Sequence, residues 1–398
     1  MPTSHMLRLL AMIRRLALLP IVLPVLTVFA VLATTSGATA IRPRVLVVAG
    51  AAVVFAALAG IGGKKPRPWL DFPLAALLGL AASHLLFSPG LPRGHDITHH
   101  LWSVWAVAQE VRAGDPAALW LHEIGLGVPV VPYYGPGIFY ATLPFSLAGL
   151  NPVWAVKAAS LMFSALAAMA IYFAVARWTE DRRAGLVAAA AYAFAPYRLL
   201  DAHYRSALTE CVALALLPLV LYFGVSAVRE GGRRRLAVAS VPAALLIVTH
   251  PISALMSAIG LGVWIVAELL LERRSGLRKM PSAVARMAGV WLLGACLAGF
   301  FLIPFLAKVK YLEVGRIAQG GQRVFLFAHG LTPRELVWRR PWTALYAAGP
   351  HGDPIDGTEK EMPLYFGGVL LSLLPLAAGL GRVPRGLTPL APSPAPPS

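Results

Sequence analysis

The chain has 398 residues, 58% of them hydrophobic and only 13% charged, against roughly 45–50% apolar and about 25% charged residues in soluble domains. A mean hydropathy of +0.69 excludes a soluble multi-domain enzyme and a disordered chain, and leaves an all-α polytopic membrane protein. The net charge of +17 then reads as Lys and Arg that set topology and touch anionic lipid, with no nucleic-acid partner.

A hydrocarbon layer of about 30 Å needs about 20 apolar residues in a helix. Apolar runs of that kind predict about ten spans, near 16–34, 44–62, 70–88, 153–176, 184–199, 211–228, 236–249, 252–271, 284–306 and 364–380. Alternate connections carry the basic clusters: Arg8, Arg14 and Arg15, then Lys64, Lys65 and Arg67, then Arg177, Arg182 and Arg183. Arg229 with Arg233 to Arg235, then Arg273, Arg274, Arg278 and Lys279, then Arg382 and Arg385 continue the pattern. These connections are expected in the cytoplasm, with both termini inside. The apolar stretch 136–150 breaks the alternation if it crosses, and it holds Pro136, Gly137 and Pro144. It is read as a re-entrant or surface-lying segment on the outer face.

The expected organisation follows: N-terminal spans in 1–88, a first large outer loop with interface helices in 89–152, and a helical core in 153–306. A second outer loop fills 307–363, a last span 364–381, and a Pro-rich tail without fixed structure 382–398. Arg14, Arg15 and the sequence Ala38-Thr39-Ala40 imitate a cleaved signal peptide, but the apolar run between them is long for one, so a retained anchor is expected. Cys211 and Cys296 lie in apolar runs and read as small core residues.

Ionisable groups near a bilayer are costly, so they are worth placing one by one. They gather in three places, all on the expected outer side. In the first loop, Ile97, Leu101, Val104, Trp105, Ala108 and Val111 trace one face of an amphipathic helix. Asp96, His99, His100, Ser103 and Glu110 fall opposite, toward an expected aqueous cavity. His95/His99 and Asp96/His100 are i,i+4 pairs. Asp96 and His100 can hold a divalent cation or relay a proton; the plainer reading is a solvated helix start with Asp96 near the N-cap. Tyr133, Tyr134, Phe139 and Tyr140 can stack on sugar rings or sit at the headgroup level. His122–Glu123 lacks the spacing of a zincin.

The second place is the hinge PYRLLDAHYRSALTE, with Arg198, Asp201, His203, Arg205 and Glu210. An arginine here can hold a lipid-linked phosphate; the alternative is an ion-pair network among Asp201, Arg205 and Glu210. The third is His250–Pro251, where a lone His is either functional or a hydrogen-bonded structural residue. Lys308, Lys310, Arg316 and Arg323 form a basic mouth or a solvated surface. Asp71, Lys157 and Glu268 lie close to predicted span ends. No P-loop, G-x-S-x-G elbow or dinucleotide fingerprint is present.

The segments GHDITHH, GLGVPVVPYYGPGIFY and PYRLLDAHYRSALTE resemble the bacterial membrane proteins labelled 6-pyruvoyl-tetrahydropterin synthase-related, over roughly residues 90–315. That group resembles the GT-C superfamily of polytopic glycosyltransferases. The label is not an activity, because the soluble synthase is a small β-rich zinc enzyme and ten hydrophobic spans cannot make that fold. The resemblance implies sugar transfer on the outer face, from a polyprenyl-phosphate-linked donor to a glycan, lipid or protein acceptor. It implies Asp96 as general base or metal helper. His95, His99, His100, Tyr134, Tyr140, Asp201, Glu210 and His250 would line the substrate site. Arg198 and Arg205 are phosphate candidates by chemistry alone, and any divalent metal would use Asp96 and His100. Two departures stand out: no second acid adjoins Asp96, and the chain lacks the soluble C-terminal domain of many GT-C enzymes, so it reads as a fragment or a short member. The alternative from another class is a non-enzymatic membrane protein, either a lipid or polysaccharide transporter or an envelope assembly partner.

Overall fold

The computed structural model describes residues 65–87, 90, 96–118, 120–123, 126–127, 129, 135–271 and 274–311. The predicted spans 16–34, 44–62 and 364–380, the signal-like start, the loop beyond 311, the tail, His95 and Tyr134 lie outside the described residues.

Within them the chain is all-helical, with no β-strand. In chain order, α1 is Pro68–Ala82, α2 Ile97–Arg112, α3 Gly137–Leu147 and α4 Pro152–Thr179. After these come α5 Arg182–Ala193, α6 Pro196–Leu200, α7 Leu208–Glu230, α8 Arg233–Thr249, α9 Pro251–Leu271, α10 Arg274–Leu297 and α11 Gly299–Lys308. Three stretches are long and apolar enough to cross a membrane: Pro152–Thr179, Leu208–Glu230 and Lys279–Leu297. Leu255, Ile259 and Val263 on α9, and Leu292 and Leu297 on α10, are exposed, which suits a lipid environment and no other solvent.

Local chemistry sets the helix ends. Asn151 caps α4 by accepting from the Trp154 amide at 3.0 Å, and Pro152 occupies the first turn, where a missing N–H costs nothing. Asp181 caps α5 through the Arg183 amide at 2.9 Å. At the end of α7, Gly231 and Gly232 take φ of +67° and +93°, a conformation open to glycine. Arg286 from α10 donates to the Val228 carbonyl at 2.8 Å and closes that terminus.

α1, α4 and α5 pack around Leu74, Leu78, Tyr172, Leu186 and Ala189. Their backbones meet closely through Gly79: a Cβ there would lie 2.1 Å from the Ser164 carbonyl oxygen. A second core joins α2, α3, α4 and α7 through Val104, Val107, Phe139, Val156 and Val212.

The predicted span 184–199 is not one helix. α5 stops at Ala193 after 12 residues, because Pro196 holds Ala195 in an extended conformation (φ −59°, ψ 131°). The chain resumes as α6 and then a π-helical turn, Asp201–Arg205. The span 284–306 is also interrupted, between Leu297 and Gly299. α3 has 11 residues, about 16 Å, which is too short to cross. Ser83, just past α1, shares a hydrogen bond of 2.7 Å with Ser164 near the middle of α4. His203 bonds the Ala82 carbonyl at 3.0 Å, so the hinge after α5 sits level with the middle of α4, not with its end.

Candidate functional site

The hinge between α5 and α7 is a folded cluster. Arg205 Nη1 donates to Asp201 Oδ1 at 2.7 Å, to Glu210 Oε2 at 2.9 Å and to the Tyr197 hydroxyl at 3.2 Å. Tyr197 in turn donates to Glu210 Oε1. The spacing explains the arrangement: Asp201 and Arg205 are an i,i+4 pair, and Glu210 opens α7 just beyond. The ion-pair alternative of the hinge is therefore the observed state of Arg205. One guanidinium faces two carboxylates, and Asp201 is fully buried. Burial, with the Glu210 charge adding to it, pushes Asp201 up to about 7, against the pull of Arg205 and Arg198.

Arg198 behaves differently. It is 9% exposed, and its guanidinium stacks over the Tyr192 ring at 5.0 Å. Its Nε and Nη1 have no hydrogen-bond acceptor among the described residues, where Asp201 Oδ2 has no donor and Ser206 Oγ no partner of either kind. His203 donates through Nε2, since its neighbour there is a carbonyl, which leaves Nδ1 as a bare acceptor. Burial pushes His203 down to about 4, so it is neutral.

Asp96 reaches this cluster through its backbone: its amide donates to the Arg205 carbonyl at 3.2 Å. It is the N-cap residue of α2 but makes no side-chain cap hydrogen bond, so its half-exposed carboxylate is not consumed by capping. His250 lies at the α8–α9 junction, within electrostatic reach of Glu210 and Arg205. Its Nδ1 accepts from the Ser253 amide at 3.3 Å and meets Ser253 Oγ at 2.7 Å, which caps α9. Burial holds it below the ordinary imidazole range. The start of α3 docks against the same junction: a Cβ on Gly135 would lie 2.0 Å from the Thr249 carbonyl oxygen.

The other predicted residues separate. His99 is exposed, whereas His100 and Ser103 have no exposure and Glu110 has 6%. The polar face of α2 therefore does not line a cavity as expected. α2 buries the arc through Ile97, His100, Val104 and Val107, and Trp102 faces out, because α3 covers the side on which His100 meets Phe139 (6.5 Å between ring centres). Tyr140 donates to the Ala117 carbonyl at 2.9 Å, which ties α3 to the loop. Of the cysteines expected in the core, Cys211 is half-buried and Cys296 is exposed on α10.

A metal finds no donor set among the described residues, where no three His, Cys, Asp or Glu groups converge. Burial, with the His99 ring adding to it, pushes His100 down to about 3, and its ring lies inside the α2–α3 packing. The proposed pairing of Asp96 and His100 does not fit a divalent ion.

Sequence reasoning missed two contacts. Asp71 on α1 accepts from Arg182 Nε at 2.9 Å and from the Tyr172 hydroxyl at 2.6 Å, with Asp71 and Arg182 both wholly buried. The partners are 111 and 101 residues from Asp71, and no local spacing signals such pairs. Glu110 holds His122 through its amide at 3.0 Å and its ring at 2.7 Å; the polar residue four turns into an interface helix was the only clue.

A family described as "6-pyruvoyl-tetrahydropterin synthase related domain; membrane protein" matches residues 131–316. The matched stretch holds the hinge and His250 and begins after α2 and Asp96. No curated protein matches the chain. The family match and the apolar helices together make this a membrane protein.

Proposed function

We propose that the chain is a GT-C-like glycosyltransferase. It would take a sugar from a polyprenyl-phosphate-linked donor on the outer face of the bacterial inner membrane and pass it to a glycan, lipid or protein acceptor. The supporting observation is the hydrogen bond from the Asp96 amide to the Arg205 carbonyl, which sets an uncommitted carboxylate beside the arginine-bearing hinge. In this reading Asp96 takes the proton of the acceptor hydroxyl as its oxygen bonds to the anomeric carbon. The bond from that carbon to the phosphate oxygen breaks, and its electron pair leaves on the polyprenyl phosphate. Arginine at the hinge meets the charge that develops there. No metal enters the scheme. A positioned general base contributes about 10²–10⁴ in rate, so Asp96→Asn should lower sugar transfer from a polyprenyl-phosphate donor by about that factor while the protein stays folded. Unchanged transfer would remove Asp96 from the chemistry.

One observation favours the non-enzymatic alternative. Transporters place ionisable groups at breaks within helices, and α5 breaks at Ala193 beside Arg198 and Asp201, level with the middle of α4. Proteoliposomes that move a labelled lipid-linked sugar across the bilayer, without cleaving it, would select that reading.

A further inference from the structure

The two arginines of the hinge are in opposite states. Arg205 is held by two carboxylates and a phenol, so an incoming anion would have to displace them and would meet their negative charge. Arg198 is as deeply placed as a core side chain, yet two of its nitrogens have no acceptor among the described residues. A buried guanidinium left in that state is costly. Asp201, three residues on, is near enough for the Arg198 charge to act on it, and its Oδ2 is equally without a partner. The two groups do not bond each other, although salt-bridge chemistry favours it. Ser206, with an unpartnered hydroxyl, is held at a φ of +54° at the close of the same turn.

We propose that Arg198 and Ser206 form a phosphate-binding site, with Arg205 as a positioning residue that draws the Asp201 and Glu210 carboxylates aside. A phosphate group supplies acceptor oxygens for Arg198 Nε, Arg198 Nη1 and the Ser206 hydroxyl. The inference rests on the hinge being the donor's phosphate site, and it assigns that task to Arg198 rather than to Arg205. The ligand class is a phosphate ester, either at the head of a lipid or as free phosphate.

The test uses the full chain in detergent with three probes: farnesyl phosphate, inorganic phosphate and farnesol. Farnesyl phosphate should bind and farnesol should not. Binding of inorganic phosphate as well would make the site a phosphate site rather than a lipid site. Arg198→Gln should weaken farnesyl phosphate by about tenfold to a hundredfold, the worth of charge-assisted hydrogen bonds. Arg198→Lys should recover part of the loss, and Arg234→Gln, an exposed arginine on α8, should change nothing. Equal binding by wild type and Arg198→Gln would overturn the proposal, as would farnesol binding as well as its phosphate. If Arg198→Gln does not fold, amide exchange in the unaltered chain decides. Farnesyl phosphate should slow exchange across 196–207, and no slowing would overturn the site. Failure of the glycosyltransferase reading looks different: phosphate binding would depend on Arg198 while Asp96→Asn left transfer, or its absence, unchanged.

Discussion

Two buried arginine–carboxylate clusters stand at opposite ends of α5, and they differ in completeness. At its start, Asp71 accepts from Arg182, and Tyr172 and the Arg67 amide fill the carboxylate's remaining capacity. Just beyond its end, two carboxylates share Arg205, and among the described residues Arg198 has no carboxylate partner and several polar atoms have no partner at all. Closed pairs fix helices in place. An open set with spare donors has capacity for something from outside, be it a water, an ion or a ligand.

The contrast breaks first at Asp71. Asp71→Ala takes the carboxylate away from the wholly buried Arg182 and should cost about 3–5 kcal/mol, read as a lowered unfolding midpoint in detergent. Asp201→Asn should cost about 1 kcal/mol or less, because Glu210 still neutralises Arg205 and the repulsion between the two carboxylates disappears. Equal losses in the two variants would mean that the hinge is as closed as the α1–α5 clamp.

The smallest effect concerns the loop after α2. Glu110 lies below its ordinary value, held there by the His122 amide and then by its ring. His122 lies above its own, raised by the Glu110 hydrogen bond and charge. A raised His stabilises the pair below its unfolded value and loses that contribution as pH rises through its folded one. A lowered Glu stabilises above its unfolded value and loses its share as pH falls through its folded one. The tie is thus strongest between the unfolded value of Glu110 and that of His122, and fades as pH passes outward through each folded one. Proteolysis in the loop 115–123 should speed up on either side of that window, and His122→Gln should flatten the alkaline limb. An alkaline limb retained in His122→Gln would assign the dependence elsewhere.

Much of this frame was legible from apolar run length. α4, α7 and the α8–α9 junction at His250–Pro251 lie close to where the sequence puts them, because unbroken apolar stretches and one Pro decide them locally. The Arg205 network was legible too, since its members sit within one turn of chain. The break at Ala193 was hidden by an alanine-rich run with strong helix propensity, which masks the effect of Pro196. Periodicity showed that α2 has two faces, but which face α3 would cover depends on tertiary packing, and so His100 went inside. Asp71 and Arg182 carry no mutual signal at their separation; only the fold introduces them.

α1 and α5, with 15 and 12 residues, rise only about 22 and 18 Å, beside an α4 of 28 residues. A hydrocarbon slab of about 30 Å cannot be matched by both heights. Lipid that met this flank directly would have to dimple or admit water, at a modest cost for each ångström of mismatch. For the phosphate site proposed above, such a low wall is a sill: a headgroup that entered over it would keep its chain among its neighbours in the leaflet.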